Sequence, residues 1–212
     1  MCIRDRAALD QWAEEWQLSL SVNKCWVLCI GKDVANQFCI SDVPLPIVNF
    51  TRDLGITVSQ NLSFSQHITG IVAKAHQRAN MIHRCFVSRN VNLLVRAFTV
   101  YVRPLLEYNC VIWSPHLKQD INALEQVQRR FTKRLQGFRD LPYTERLRLL
   151  NLQLLEVRRL HFDLILCYKI LFGLTSMNID DFFEFCGTNT RGHPYKFLSP
   201  LVVVQQGRHI PL

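Results

Sequence analysis

No Cys-x-x-Cys pair occurs among the eight cysteines of this chain, and no run of 18 apolar residues occurs anywhere in its 212 positions. The cysteines (Cys2, Cys25, Cys29, Cys39, Cys85, Cys110, Cys167, Cys186) are scattered, mostly inside apolar stretches. Structural zinc sites and disulfide frameworks need closer or paired spacing, so these read as buried thiols of a reducing compartment. Cys186 with His193 is the only metal-like pairing and lacks two further ligands. His67, His76, His83, His116, His161, His193 and His209 show no ligand spacing. The longest apolar segment, Leu160 to Leu174, is interrupted by His161, Asp163 and Lys169, so a membrane span is excluded. With no signal peptide either, an intracellular protein of nucleus or cytoplasm is expected. Internal repeats and low-complexity segments are also absent.

What is present is a core-forming composition and an uneven positive charge. Hydrophobic residues make up 49% and charged residues 20%, enough to bury a core and to argue against disorder. The net charge is +8, and a surplus of six lies between Val127 and Leu160. There Arg129, Arg130, Lys133, Arg134, Arg139, Arg146, Arg148, Arg158 and Arg159 outnumber Asp140, Glu145 and Glu156. A merely soluble surface intersperses the two signs, so this concentration points to an anionic partner, nucleic acid ahead of a membrane surface.

Hydropathy periods divide the chain. Leu9, Trp12, Trp16 and Leu20 form the stripe of an amphipathic helix over Ala7 to Leu20, expected to bury one face. Lys24 to Ile30, Gln37 to Ile40 and Pro44 to Phe50 favour short strands and a small antiparallel sheet. From Ser65, placed as a helix cap, the period becomes 3.6, with Ile68, Ile71, Val72, Ala75, Ala79, Ile82 and Cys85 on one stripe. A second helix runs from about Asn92 to Val102, and Pro104 must kink or end it. After the turn Trp113-Ser114-Pro115, Leu117, Ile121, Leu124, Val127, Phe131, Leu135 and Phe138 share a narrow arc, with Arg129 and Lys133 opposite and Arg130 and Arg134 flanking. Helices over Thr144 to Leu150, capped by Thr144, and Leu154 to Phe172, closed by Gly173, complete the series. The fold class expected is mainly α, with a small antiparallel β portion at about residues 24–56 followed by a helical bundle. The tail from Thr188 reads as loosely organised.

Several blocks, in order, resemble one known family. LDQWAEEWQLSLSVNKC (Leu9 to Cys25) is similar to polymerase motif D of reverse transcriptases from non-LTR retrotransposons, the LINE elements of jockey-like type. TRDLGITVSQNLSFSQHI (Thr51 to Ile68) resembles the next region, motif E or primer grip. YVRPLLEY (Tyr101 to Tyr108), Trp113 to Pro115, LEQVQRRFTK (Leu124 to Lys133) and LEVRRLHFDL (Leu155 to Leu164) follow in the family's order. The resemblance implies the end of a polymerase palm at residues 7–60, a helical thumb and connection at 61–175, and a tail at 176–212. It also implies an RNA template and a cDNA primer as partners, along with the missing palm and fingers of the same polypeptide.

By the same resemblance, Lys24 is a candidate general acid that protonates the leaving pyrophosphate; a solvated lysine at a strand start is the plain alternative. Leu54 and Gly55 match the primer grip, and a simple β-turn glycine accounts for them equally. Arg129, Arg130, Lys133, Arg134, Arg158 and Arg159 are candidates for contacts to the phosphates of a hybrid duplex, contacts that position without reading sequence. Trp113, Tyr101 and Tyr108 fit core packing. Nucleotide transfer needs carboxylates around two Mg2+ ions. The family's carboxylate box is expected upstream of residue 1, so no cofactor is expected within this segment and Mg2+ belongs to the complete polymerase. Asp180 and Asp181 follow a turn rather than a strand, and read as helix-capping residues. MCIRDR, residues 1–6, resembles the translation of a sequencing-adapter end, and the native frame is expected to continue upstream. The chain ends without the aromatic-Arg-Trp-Asn block that often follows in the family. The alternative function is a stand-alone helical module for nucleic-acid or protein interaction with no catalytic role; a relic of a dead element is a third.

Overall fold

The computed structural model describes residue 8 and residues 11–18, 20–31, 38–40 and 43–183. The adapter-like residues 1–6, Leu9, Cys2, Cys186, His193, His209 and the tail from Thr188 lie outside the described residues. The chain forms two compact units that divide between Phe64 and Ser65.

The first unit carries short elements. Residues 11–15 are helical, with Ala13 buried. Trp12 and Trp16 pack ring to ring at 6.4 Å, yet both are largely exposed. The buried tryptophan face expected from the stripe is therefore not formed: the helix ends at residue 15, so Trp16 already lies in the turn that follows. Six short strands follow: β1 (Val27–Leu28), β2 (Cys39–Ile40), β3 (Val43–Pro44), β4 (Ile47–Val48), β5 (Phe50–Asp53) and β6 (Ile56–Ser59). β2 pairs with β3 and β5 with β6, both antiparallel, while β1 and β4 run parallel. Among the described residues the sheet content is thus three two-stranded pieces.

The second unit is helical: α1 (Ser65–Cys85), α2 (Val91–Tyr101), α3 (Arg103–Glu107), α4 (Cys110–Trp113), α5 (Lys118–Lys133), α6 (Tyr143–Leu149) and α7 (Leu155–Leu171). Helix α1 packs on α2, α3 and α5; α5 also packs on α6 and α7, and α4 on α7. The expected stripe of α1 is buried at Ile68, Ala75, Ala79 and Ile82. Ser65 starts the helix but gives its hydroxyl to Asp120 of α5 at 2.7 Å, tying two helices rather than serving as the expected cap. Helix α2 is capped by Asn90, whose side chain accepts the Leu93 N–H at 3.1 Å. Pro104 falls in the first turn of α3, where its missing N–H costs nothing, so it starts a new helix as it ends the old one. Thr144 lies within α6, which begins after Pro142. Gly173, at φ +65°, closes α7 as expected.

Phe98, Trp113, Phe131, Leu106, Leu124 and Leu155 are the large buried side chains of this unit, with Phe98 and Phe131 in ring contact at 4.6 Å. Trp113, 1% exposed, is indeed structural: its Nε1 donates to the Tyr108 carbonyl at 2.9 Å and its ring meets His67 edge-on. Tyr101 and Tyr108 differ from the core role expected of them; each is 55% exposed, because α2 and α3 are short and turn their second faces outward. Of the described cysteines, all free, Cys29 and Cys110 are buried but Cys39 and Cys85 are exposed. No helix among the described residues is long and apolar enough to cross a membrane.

Candidate nucleic-acid interface

Helix α5 sets the geometry of the charged region. Leu124, Val127, Phe131 and Leu135 recur at helical spacing and are all buried, so the intervening cations are forced to the rim and the outer face. Arg130 and Lys133 fall in the last turn, with Arg134 just beyond, where cations complement the negative end of the helix dipole. Arg130, Lys133 and Arg134 are exposed and Arg129 is half-buried. Arg134 donates to Asn80 Oδ1 of α1 at 2.6 Å, which fixes the guanidinium across the groove between the two helices.

Past α5, Gly137 takes a positive φ of +82° and the chain folds back, bringing residues 139–146 against the outer side of α5. The two segments enclose an open cleft of about 550 Å³, lined by Arg129, Arg130, Lys133, Arg139 and Arg146 with a single acid, Asp140. Tyr143 stands in the cleft wall, with the Arg129 guanidinium 4.8 Å and that of Arg146 5.2 Å from its ring centre. Arg146 is 4% exposed. Its Nη1 donates to the Arg129 carbonyl at 2.8 Å and to Thr132 Oγ1 at 3.0 Å, while its Nε and that of Arg129 have no hydrogen-bond partner. Burial, and then the nearby Arg129 charge, lower the Arg146 pKa, with the Tyr143 phenol acting the other way.

A buried polar network holds this wall in place. Glu125 accepts the Tyr143 hydroxyl on one oxygen and the Leu155 N–H at 2.9 Å on the other. Gln128 donates to Tyr143 Oη at 3.1 Å and to the Gln153 carbonyl at 2.9 Å. Burial and then the bond to Glu125 push the Tyr143 phenol well above its ordinary range, so it stays a donor. Glu125 and Gln128 thus join α5, α6 and α7 in one arrangement.

The other candidates lie apart from this cleft. Arg159 is 2% exposed, facing Glu125, Cys110, Glu156 and Glu107 rather than solvent. Arg158 pairs with Glu107 through both nitrogens, Nη2 to Oε2 at 3.1 Å, and Arg103 approaches the same carboxylate at 3.7 Å. Arg158 is thus engaged in an internal ion pair, whereas Arg159 is buried with both Nη atoms lacking a hydrogen-bond partner, so the register of α7 turns both away from the surface role expected of them. In the first unit, Lys24 is exposed at the end of a 3-10 turn, Val22–Lys24, rather than at a strand start. Leu54 and Gly55, at φ +44° and +90°, form the two-residue loop between β5 and β6. Both positive values mark a type I′ turn, and Leu54 is 80% exposed at its tip. Asp180 and Asp181 are exposed in a 3-10 turn, Ile179–Asp181, whose cap position is Asn178. Among the described residues no three His, Cys, Asp or Glu side chains gather as a metal site would require.

Sequence reasoning counted Arg139 and Arg146 in the charge surplus but not as site residues, and missed Tyr143. The turn at Gly137 and the Pro142 that follows were the available signals, although neither tells where the returning segment lands.

The chain is 24% identical over 133 residues to the probable RNA-directed DNA polymerase from transposon X-element of Drosophila melanogaster, a match covering 60% of this chain. It is 27% identical over 143 residues, 64% of this chain, to that from transposon BS of the same fly. Several non-LTR retrotransposon RNA-directed DNA polymerases of Drosophila thus match about 60% of this chain at modest identity. The chain spans 15% of the length of the X-element and BS polymerases. An uncharacterized Caenorhabditis elegans protein, B0403.1, is 31% identical over 130 residues, covering 60% of this chain and 66% of its own. No protein-family model matches this chain, and no solved structure does.

Proposed function

We propose that the chain is the hybrid-holding part of a retrotransposon RNA-directed DNA polymerase, with residues 7–60 ending the palm, 61–175 forming the thumb and connection, and 176–212 a tail. In this reading the cations at the end of α5 and around the cleft take the phosphates of an RNA template and its cDNA primer. The nucleotide-transferring carboxylates and their Mg2+ belong to the missing palm and fingers of the same polypeptide. The observation that carries the reading is the placement of Arg129, Arg130, Lys133, Arg139 and Arg146 around one cleft with only Asp140 opposing them. Lys24 as general acid and the Leu54–Gly55 turn as primer grip complete it, the exposed turn being open to a 3′ end.

Phosphate contacts release counterions, so binding weakens steeply with salt and is blind to sequence. The test is fluorescence anisotropy of an RNA–DNA hybrid between 50 and 300 mM salt with the full chain and with R130E/K133E. A steep salt slope that flattens in the variant is expected; failure to bind at the lowest salt overturns the reading.

A second reading, a helical interaction module without catalysis, is favoured by one observation. Leu160, Leu164 and Tyr168 recur along one side of α7 and are all more than half exposed. Concentration-dependent self-association or partner binding that L164S abolishes, in a protein that ignores nucleic acid, would support it.

A further inference from the structure

The cleft has features that a general phosphate-tracking face does not need. In contacts along a duplex backbone each cation meets one singly charged diester. Here two of the cations are held in advance. Arg146 is almost fully buried and bonded to the Arg129 carbonyl and Thr132, and both Arg129 and Arg146 lie close to the ring of Tyr143. That ring is in turn fixed by its hydroxyl bond to Glu125 and the Gln128 amide. Both guanidinia keep one donor, Nε, without a partner, and neither has a carboxylate in an ion pair among the described residues. Five cations against Asp140 leave a surplus of four around a space of about 550 Å³.

Holding that much like charge together is unfavourable unless an anion enters, and a diester supplies only one negative charge. A phosphate monoester carries about −1.5 to −2 and three acceptor oxygens. The volume suits a small ligand such as one terminal nucleotide. Resting on the nucleic-acid reading above, we propose that the cleft is a site for the terminal phosphate monoester of a nucleic-acid strand, separate from any diester contact of Arg134, which lies outside the cleft lining and bonds to Asn80 of α1. Free pyrophosphate shares this chemistry and is the competing source.

The test is anisotropy with the full chain and a labelled single strand bearing a 5′-phosphate, a 3′-phosphate or neither, repeated with added inorganic pyrophosphate. A terminal phosphate at one end tightens binding about tenfold, the effect of one or two added charge-assisted hydrogen bonds. Arg139→Gln, whose side chain is exposed, abolishes that preference, read as the ratio of affinities for the phosphorylated and unphosphorylated strands, while binding to the unphosphorylated strand falls only by the loss of one phosphate contact. Pyrophosphate displaces the phosphorylated strand selectively. Equal affinity for all three strands overturns the inference and leaves the nucleic-acid reading standing. Tight pyrophosphate binding without any strand preference assigns the cleft to free polyphosphate and also overturns it. No binding to any of the three strands overturns the inference, and the nucleic-acid reading falls with it only if the RNA–DNA hybrid also fails to bind.

Discussion

The carboxylate of Glu125, on α5, accepts the backbone N–H of Leu155, thirty residues later, at 2.9 Å. Leu155 opens α7, so this bond satisfies one of the orphan donors at that helix start while the other Glu125 oxygen takes the Tyr143 hydroxyl. One buried side chain therefore fixes the spacing of three helices and, through Tyr143, the wall of the cationic cleft.

Glu125→Ala is expected to lower stability by about 2–3 kcal/mol, because it leaves a buried N–H and a buried phenol without their acceptor. Tyr143→Phe, which removes one hydrogen bond and keeps the ring beneath Arg129 and Arg146, is expected to cost about 1 kcal/mol. Urea unfolding of both, and of the double variant, gives the coupling between them. Additive effects would show that the two side chains do not act through one bond.

Leu54 occupies a turn position with φ +44° that asparagine and glycine accept more readily. Leu54→Asn is expected to stabilise the β5–β6 hairpin by about 1 kcal/mol. If the exposed leucine serves the primer end, the same change weakens extension in a complete polymerase. A stability gain with unaltered extension would leave Leu54 no role beyond the turn.

Arg158→Ala and Lys133→Gln are expected to separate structure from binding. Arg158 shares Glu107 with Arg103, so its loss lowers the melting temperature and leaves the salt dependence of hybrid binding unchanged. Lys133 is exposed in the cleft, so its loss reduces the salt slope by about 0.9, the value for one duplex phosphate contact, with little change in melting. The reverse pattern would move the binding surface to α7.

Two histidines make stability depend on pH. Burial and then Arg130 lower the pKa of His76; burial, then Arg134 and Arg89, lower that of His83, against the Phe131 carbonyl, which raises it. The folded protein thus prefers both neutral, and below about pH 6.5 the unfolded chain binds more protons. The stability of the neutral imidazoles is complete above that pH and is lost as pH falls through the lowered values. Thermal melts from pH 7.5 to 5 are expected to show a decline that H76Q/H83Q reduces, and that a polyanion neutralising Arg130 and Arg134 also reduces. A pH-independent melting temperature would contradict the placement of these rings.

Much of this was legible in one dimension. The apolar stripes of α1 and α5 have a 3.6-residue period, and burying such a stripe is the main source of helix stability in water, so Ile68, Ala75, Leu124, Val127 and Phe131 were readable as core. The local rules also placed the break at Pro104 and the close at Gly173, since missing donors and positive φ act within a few residues. Trp12 and Trp16 are exposed where the stripe suggested burial, because periodicity shows which residues share a helix face but not whether anything packs against it.

The sequence by itself determined the helical content, the charge surplus and the kinship with retrotransposon polymerases, all of which reside in local order along the chain. Only the tertiary structure decided which cations are available. Arg130, Lys133 and Arg139 meet solvent at one cleft, whereas Arg158 and Arg159, alike in charge and spacing, are turned inward to carboxylates of other helices. The electrostatics of a guanidinium depends on neighbours tens of residues away, and no periodicity of its own helix carries that information.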